Sequence, residues 1–145
     1  MAQSINEIAE EISFLLPNLL RNMYPYVFKK IGIPPAQVLA LTFIQEKKGC
    51  CLNDLRRHMH VSAPTITGIV DRLQRAGYVQ RVPDKMDRRV TNIVLTRHGV
   101  GVVRRYRKNI MLRWQYVLSR LNTKDRKDII RILKHITQGF ADGSI

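Results

Sequence analysis

The chain has 145 residues, 45% of them apolar, and a formal net charge of +14 from 25 basic and 11 acidic side chains. This length suits one domain with a real core and leaves little room for two. No apolar run approaches the roughly 18 residues of a membrane span and no signal peptide is evident, so we expect a cytoplasmic protein that does not enter membranes. The positive charge indicates a polyanionic partner, and a merely soluble basic surface is the alternative.

Two helices are predicted in the first third of the chain. Ser4–Glu7 has the S-x-x-E form of a capping box, and apolar residues recur at helical spacing after it. Pro17 interrupts this run and should kink or split the helix, because proline cannot donate the i to i−4 hydrogen bond. Ile31–Pro35 is a break, and its last proline suits the first turn of the second helix.

A short helix from about Asn53 to Met59, a tight connection and another helix come next. Ser62 is placed to cap the later helix, and Gly77 to end it. Two helices joined by such a turn form a helix-turn-helix, whose second helix fits the major groove of DNA. The buried face of that second helix is defined by apolar residues at i, i+3, i+4 and i+7, namely Ile66, Ile69, Val70 and Leu73.

The opposite face of this helix carries residue types that suit DNA contact. Small residues would allow a close approach to the groove, while hydroxyl and guanidinium groups bond phosphates and base edges. An ordinary solvated helix is the alternative, although it would carry more Glu and Lys. The outward and flanking residues are Pro64, Thr65, Thr67, Gly68, Asp71, Arg72 and Arg75. All of them except Asp71 are predicted to contact DNA, together with Ser62.

A β-hairpin with a long charged loop is predicted after the second helix. Tyr78–Val82 and Val90–Leu95 are the two strand candidates. A projecting basic tip suits a minor groove, where the negative potential attracts arginine, and a solvated turn is the alternative. The cationic DNA-contact candidates at this tip are Lys85, Arg88 and Arg89.

The remainder of the chain predicts two more helices, capped by Thr96 and Thr123. Both carry long apolar stripes, as does the first helix. The middle of the chain offers too little surface to cover all three stripes. We therefore expect these terminal helices to pack between two copies in a homodimer.

Several segments resemble the MarR family of winged helix-turn-helix regulators. Arg81–Arg89 followed by Leu95–Gly99 is similar to the family's wing, with its D-x-R and its closing L-T-x-x-G. Val70–Leu73 and Ala76–Val79 resemble the recognition helix and its exit, and Ile33–Gln37 resembles the start of the second helix. The order and spacing of these segments make the resemblance specific.

The resemblance implies a mainly α fold with a small β-wing, a winged helix-turn-helix plus N- and C-terminal dimerisation helices. It implies a single domain over 1–145, with dimerisation helices at 1–34 and 100–145 and a DNA-binding lobe at 35–99. It also implies a homodimer that binds double-stranded DNA at a pseudo-palindromic operator, most simply as a repressor. In the wing, Arg89 would contact DNA and Asp87 would orient an arginine.

The resemblance also implies a regulatory ligand. MarR-like proteins often bind small aromatic effectors between the dimer helices and the DNA-binding lobe, so Tyr24, Phe28 and Trp114 are candidates for an effector pocket. Ordinary core aromatics are the alternative. An effector or an oxidant would then release the operator.

Other classes of function find less support. Cys50, Cys51, His58 and His60 fall within eleven residues but not at an ordinary zinc spacing, so we expect no metal or cofactor, while thiol redox sensing stays open. No catalytic motif stands out, which predicts that the chain is not an enzyme. Two rival interpretations remain: a basic architectural protein that coats nucleic acid without sequence preference, and a winged-helix module that binds protein.

Overall fold

The structure, a computed structural model, describes residues 2–143 and divides after Asn109 into two compact units. It is mostly helical with a small antiparallel sheet, which confirms the predicted fold class. The elements in chain order are α1 (Ile5–Val27), α2 (Pro35–Glu46), β1 (Cys50–Cys51), α3 (Leu52–Met59), α4 (Ala63–Arg75), β2 (Val79–Pro83), β3 (Thr91–Leu95), α5 (Arg97–Leu118) and α6 (Thr123–Ala141).

Helix α1 begins at the predicted capping box. The Glu7 amide donates to Ser4 Oγ at 3.2 Å, and the Ser4 amide donates to Glu7 Oε2 at 2.7 Å. The predicted split at Pro17 is wrong, because α1 is one helix with Pro17 and Pro25 inside it. Each proline removes only its own N–H donor, and the intact bonds on both sides hold the helix together.

The core of the first unit fixes the orientation of α4. All four residues predicted to face inward are buried, and Val70 and Leu73 are completely so. They meet buried side chains of α2, α3 and β3, among them Leu41, Leu55 and Ile93. Truncating such a leucine to alanine costs about 2–5 kcal/mol, so the opposite face of α4 is held firmly toward solvent.

The sheet has the order β1-β3-β2 and includes one strand that sequence reasoning missed. The two predicted hairpin strands are β2 and β3, paired antiparallel with Val79 opposite Leu95 and Pro83 opposite Thr91. On the other side of β3, Cys50 pairs with Ile93. A two-residue strand is too short to show the alternating pattern by which strands are recognised.

The Leu95–Gly99 segment, which links β3 to α5, contacts the residues that lead into β2. The Thr96 hydroxyl accepts from the Gly99 amide at 3.2 Å, as the predicted cap requires, and donates to the Gly77 carbonyl at 2.6 Å. A Cβ on Gly99 would overlap the Tyr78 carbonyl oxygen. Only glycine allows this close approach, which explains the glycine that closes the L-T-x-x-G segment.

In the second unit, α6 is capped by Asn122 rather than by Thr123. The Asp125 amide donates to Asn122 Oδ1 at 2.9 Å, so the predicted Thr123 cap is wrong and Thr123 is the first helical residue. An asparagine is among the best capping residues and stands one position earlier. Within residues 2–143, no helix combines the length and apolar character needed to cross a membrane.

Both terminal helices expose large apolar side chains. In α6 none of the residues is buried, and Ile130, Leu133, Ile136 and Phe140 are all exposed. In α1 only Val27 is buried. The exposed large apolar residues of α1 are Ile5, Ile8, Ile12, Phe14, Leu15, Leu16, Leu19, Leu20, Tyr24 and Tyr26.

Candidate nucleic-acid interface

Helices α3 and α4 form the predicted helix-turn-helix. His60 ends α3 in the left-handed conformation, with φ 52°, which turns the chain sharply. Ser62 then caps α4 as predicted, since its Oγ accepts from the Thr65 amide at 3.3 Å. The hydroxyls of Ser62 and Thr65 lie 2.7 Å apart, so they form one polar edge at the start of α4.

The solvent face of α4 presents the predicted contact residues. Pro64, Thr65, Arg72 and Arg75 are exposed, and Thr67 and Gly68 are partly exposed. The Thr67 hydroxyl donates to the Ala63 carbonyl at 2.9 Å. This face therefore begins with small groups and hydroxyls and ends with two cations.

Arg72 lies beside Gly68. A Cβ built on Gly68 would meet an Arg72 guanidinium nitrogen at 3.6 Å, an ordinary contact distance. Within residues 2–143, neither Arg72 nor Arg75 has an ion-pair partner. Both guanidinium groups are therefore available to an anion or to a base edge.

An ion pair that sequence reasoning missed links α4 to the wing. Arg81 Nη2, on β2, donates to Asp71 Oδ1 on α4 at 2.8 Å. A second Arg81 nitrogen donates to Gln74 Oε1. The Asp71 carboxylate, predicted to face outward, is half-exposed and engaged by Arg81. This contact neutralises the one acidic group on the solvent face of α4.

Asp84 organises the tip of the wing, and sequence reasoning missed this residue too. Its Oδ1 accepts from the amides of Met86 at 2.8 Å and Asp87 at 3.1 Å, and its Oδ2 accepts from Asn92 Nδ2 at 2.7 Å. These hydrogen bonds, led by the one from the Met86 amide, hold the pKa of Asp84 below its ordinary value of 3.8. An aspartate that bonds amides two and three residues ahead is an Asx turn, for which the sequence does carry a signal.

The side chains of the wing cations take no part in these hydrogen bonds. Lys85, Arg88 and Arg89 are all exposed, and none has an ion-pair partner in the described part of the chain. Asp87 Oδ1 accepts from the backbone amide of Arg89 at 3.0 Å. Asp87 thus bonds the backbone of an arginine, which fixes the turn from which Arg89 projects.

The aromatic candidates for an effector pocket fall in different units. In the first unit, the ring centroids of Tyr24 and Phe28 are 4.8 Å apart, and those of Phe28 and Tyr106 are 5.5 Å apart. Burial raises the pKa of the Tyr106 hydroxyl. Trp114 belongs to the second unit. Tyr106 joins the cluster although it was not among the predicted pocket residues.

The cysteines and histidines near α3 have ordinary structural surroundings. Burial, followed by the nearby charge of Asp54, raises the pKa of Cys50 to about 11. Cys51 Sγ donates to Asp54 Oδ2 at 3.1 Å, and the His58 ring stacks on Phe43 at 3.9 Å between centroids. Within residues 2–143, no three potential ligands gather in a way that could hold a metal ion.

Comparison with known proteins connects this lobe to one family. A family profile described as MarR family matches residues 31–90. The HTH-type transcriptional regulator BilQ of Clostridioides difficile is 23% identical over 128 residues, which span 86% of each chain.

Solved structures share the fold. A MarR family protein from Bacillus stearothermophilus superposes with a TM-score of 0.84 at 24% identity, covering 97% of this chain and 99% of that one. A mutant of Staphylococcus aureus MepR has been solved bound to an oligodeoxyribonucleotide, with TM-score 0.65, 20% identity and coverage of 88% and 96%. MepR has also been solved bound to ethidium bromide, with TM-score 0.67, 20% identity and coverage of 88% and 95%. With the helix-turn-helix and wing described above, these matches show a winged helix-turn-helix fold, and the segment at residues 31–90 is similar to the MarR family of transcriptional regulators.

Proposed function

We propose that this protein is a sequence-specific DNA-binding repressor that binds a pseudo-palindromic operator as a homodimer and is released by a small-molecule effector or an oxidant. The observation that carries the proposal is the solvent face of α4. There Arg72 and Arg75 are exposed without ion-pair partners among residues 2–143, and the nearby carboxylate of Asp71 is engaged by Arg81. A helix face with available cations and a neutralised acid is suited to a polyanion.

The role proposed for α4 is to read base edges in the major groove. Pro64 and Gly68 leave little bulk between the helix and the groove floor, and Thr65 and Thr67 add hydroxyls that bond bases or phosphates. Arg72 and Arg75 suit guanine edges or phosphates. Ser62, at the N-terminus of α4, suits a phosphate, because helix N-termini favour negative charge.

The role proposed for the wing is to contact the DNA phosphates that flank the major-groove site and the adjacent minor groove. Lys85, Arg88 and Arg89 would supply the charge, and Asp87 would keep the Arg89 backbone in place. Because Arg81 joins β2 to α4, the wing and the recognition helix would dock as one piece. Such preorganisation lowers the ordering cost of binding.

The proposed dimer would use the terminal helices, at 1–34 and 100–145, while 35–99 binds DNA. The large exposed apolar side chains along α1 and along α6 support this assignment, because monomers rarely leave large apolar patches exposed. A two-fold dimer would place its two α4 helices in half-sites about one helical turn apart. An operator with matching symmetry follows from that geometry.

Repression and release are the finer parts of the proposal. A dimer seated on a promoter would exclude other proteins from it, and MepR, bound to ethidium bromide in one structure, is a relative by fold that takes a flat aromatic molecule. In this chain the Tyr24, Phe28 and Tyr106 rings of the first unit would bind such an effector. Release by oxidation would rest on Cys51 rather than Cys50, since the Cys50 thiol is buried and its pKa is raised to about 11.

A salt-dependent titration tests sequence-specific binding. Fluorescence anisotropy would compare DNA from the promoter region upstream of the protein's own gene with random DNA of equal length. A strong preference for the promoter that survives at ~150 mM salt supports the proposal, because non-specific binding is mostly electrostatic and falls steeply with salt. Equal affinities that vanish together with salt would contradict it.

A coating protein without sequence preference is the second candidate, favoured by the exposed cations of α6. These residues include Lys124, Lys127, Arg131 and Lys134. If they carry the binding, replacing Lys127 and Lys134 by glutamine would weaken binding more than replacing Arg72 and Arg75 would. The repressor proposal requires the reverse order on promoter DNA.

A further inference from the structure

The wing tip carries one fully exposed apolar side chain, Met86. Its exposure is 96%, against 85% for Ile5, the next large apolar residue in the described part of the chain. Single exposed apolar residues are common on protein surfaces and need no explanation by themselves. Met86 differs because most of its neighbours are cations, with Lys85 before it and Arg88 and Arg89 after Asp87.

The backbone beneath Met86 is held in one conformation. The Met86 amide donates to Asp84 Oδ1 at 2.8 Å, and the Asp87 amide donates to the same oxygen at 3.1 Å. Asn92 on β3 holds the other Asp84 oxygen. The loop closes through the Asp84 amide and the Val90 carbonyl at 2.9 Å. The backbone of Met86 is therefore held in place, so little backbone entropy is lost when a partner buries the side chain.

The fold gains nothing from this side chain. At 96% exposure Met86 covers almost no apolar surface of its own chain, so it contributes almost no burial free energy to folding. A partner that covered it would gain that free energy instead. The flanking cations limit the partner to one that is anionic on its outer surface and apolar where Met86 would lie.

The minor groove of DNA matches this description. Its rims are phosphates, and its walls and floor are deoxyribose and base edges. Proteins that enter the minor groove often place apolar side chains against base steps, between basic residues that bind the flanking backbone. Methionine suits such a site because its unbranched thioether adapts to an irregular surface.

We propose that Met86 is an apolar DNA-contact residue, whose side chain packs inside the minor groove while Lys85, Arg88 and Arg89 bind the phosphates around it. This proposal rests on the proposed function, because it requires the wing to bind DNA. It adds a contact whose contribution does not depend on salt. It also predicts a preference for flexible pyrimidine–purine steps at the wing position, since these accommodate an inserted side chain most readily.

The test compares Met86→Ala, Met86→Leu and Arg89→Ala on a duplex of about 30 base pairs selected from a random pool by the wild-type protein. Affinities are measured across a salt series. We expect Met86→Ala to weaken binding about tenfold, roughly the effect of removing one buried apolar side chain, with an unchanged salt slope. Met86→Leu should retain most of the affinity, because it keeps the apolar volume. Arg89→Ala should weaken binding and reduce the salt slope by about 1.

Two controls separate a DNA contact from a structural effect. Leu39→Ala removes another exposed apolar side chain, on α2, which carries none of the proposed DNA or dimer contacts, and should leave binding unchanged. The thermal midpoint of Met86→Ala should equal that of the wild type, because the side chain covers nothing in the folded chain.

The outcomes distinguish this inference from the proposed function. If Arg89→Ala weakens binding but Met86→Ala does not, the inference is wrong and the proposed function stands. If Met86→Ala lowers the salt slope, a phosphate contact has been lost through rearrangement and the inference is also wrong. If the wild type shows no preference for the selected duplex, the proposed function fails and the inference fails with it.

Discussion

Arg81 Nη2 lies 2.8 Å from Asp71 Oδ1, and this ion pair joins the first strand of the wing to the solvent face of α4. The two residues are ten positions apart and belong to different elements. The pair has two effects: it holds β2 against α4, and it neutralises the Asp71 carboxylate, which is next to Arg72 in sequence and close to Arg75. A loose wing or a free carboxylate would each weaken the attraction of this surface for an anion.

Replacing Arg81 by alanine should therefore affect DNA binding more than stability. The side chains of the pair are partly exposed, so we expect a loss of no more than about 1 kcal/mol in the free energy of unfolding. Affinity for the operator should fall about tenfold, because the wing is no longer tied to α4 and the Asp71 charge is no longer neutralised. Arg131→Ala is the matched control, since it breaks an exposed ion pair with Asp128 on α6. An Arg81→Ala variant that loses no more affinity than this control would contradict the positioning role.

Gly68 and Gly101 provide a matched pair of helical glycines. A methyl group at Gly68 would make only an ordinary contact with Arg72, and one at Gly101 would meet nothing within 4 Å. Both alanine variants should thus gain stability, by up to about 1 kcal/mol, since glycine is a poor helix former. Only Gly68→Ala should weaken operator binding, because its methyl group stands on the face that we propose enters the major groove. Chemical denaturation and anisotropy measure the two effects, and equal binding by both variants would argue against α4 as the reading helix.

The wing tip should be sensitive to acid. The folded-state pKa of Asp84 is lowered below 3.8, so its contribution to wing order is fully present above that value and is lost as the pH falls through the lowered pKa. Amide signals of Met86 and Asp87 in NMR spectra should therefore keep their positions from about pH 7 to about pH 4 and shift below it. Asp84→Asn should remove this transition. Shifts centred well above about pH 4 would mean that the carboxylate does not hold the tip.

The two cysteines should differ in reactivity. Cys50 is buried and its pKa is raised to about 11, so its thiol is almost wholly protonated near neutral pH, whereas Cys51 is partly exposed. Limited alkylation with iodoacetamide followed by mass spectrometry should place the first adduct on Cys51. The Cys51→Ser variant should react far more slowly than Cys50→Ser. Preferential modification of Cys50 would show that β1 opens readily.

The parts of the fold that depend on periodic apolar patterns and local capping residues could be predicted from the sequence. The apolar periodicity of α4 gave the correct buried face, and the capping residues Ser4 and Ser62 marked true helix starts. Local rules failed where two of them competed. Asn122 and Thr123 are both capping residues, and the stronger, earlier one caps α6. Pro17 is a helix breaker by its chemistry, yet the helix on either side of it is continuous.

The contacts that organise the candidate site were harder to predict. Asp71 and Arg81 come together only because the wing folds back on α4, and no spacing in the sequence encodes that contact. The β1 strand is two residues long and pairs with a strand far along the chain, Cys50 with Ile93. Asp84 is the exception, because its Asx turn follows a local pattern that the sequence contains. The exposed cations were predicted correctly as surface residues, while their contacts with DNA stay predictions.

Hydroxyl-radical footprinting of the wild-type protein on the selected duplex tests the central claim most directly. A homodimer that places two α4 helices in successive major grooves should protect two symmetric segments with centres about 10 base pairs apart, flanked by weaker protection from the wings. The same pattern should persist at ~150 mM salt, where non-specific contacts are weak. Uniform protection along the duplex, or a single unpaired segment, would contradict a dimeric, sequence-specific regulator.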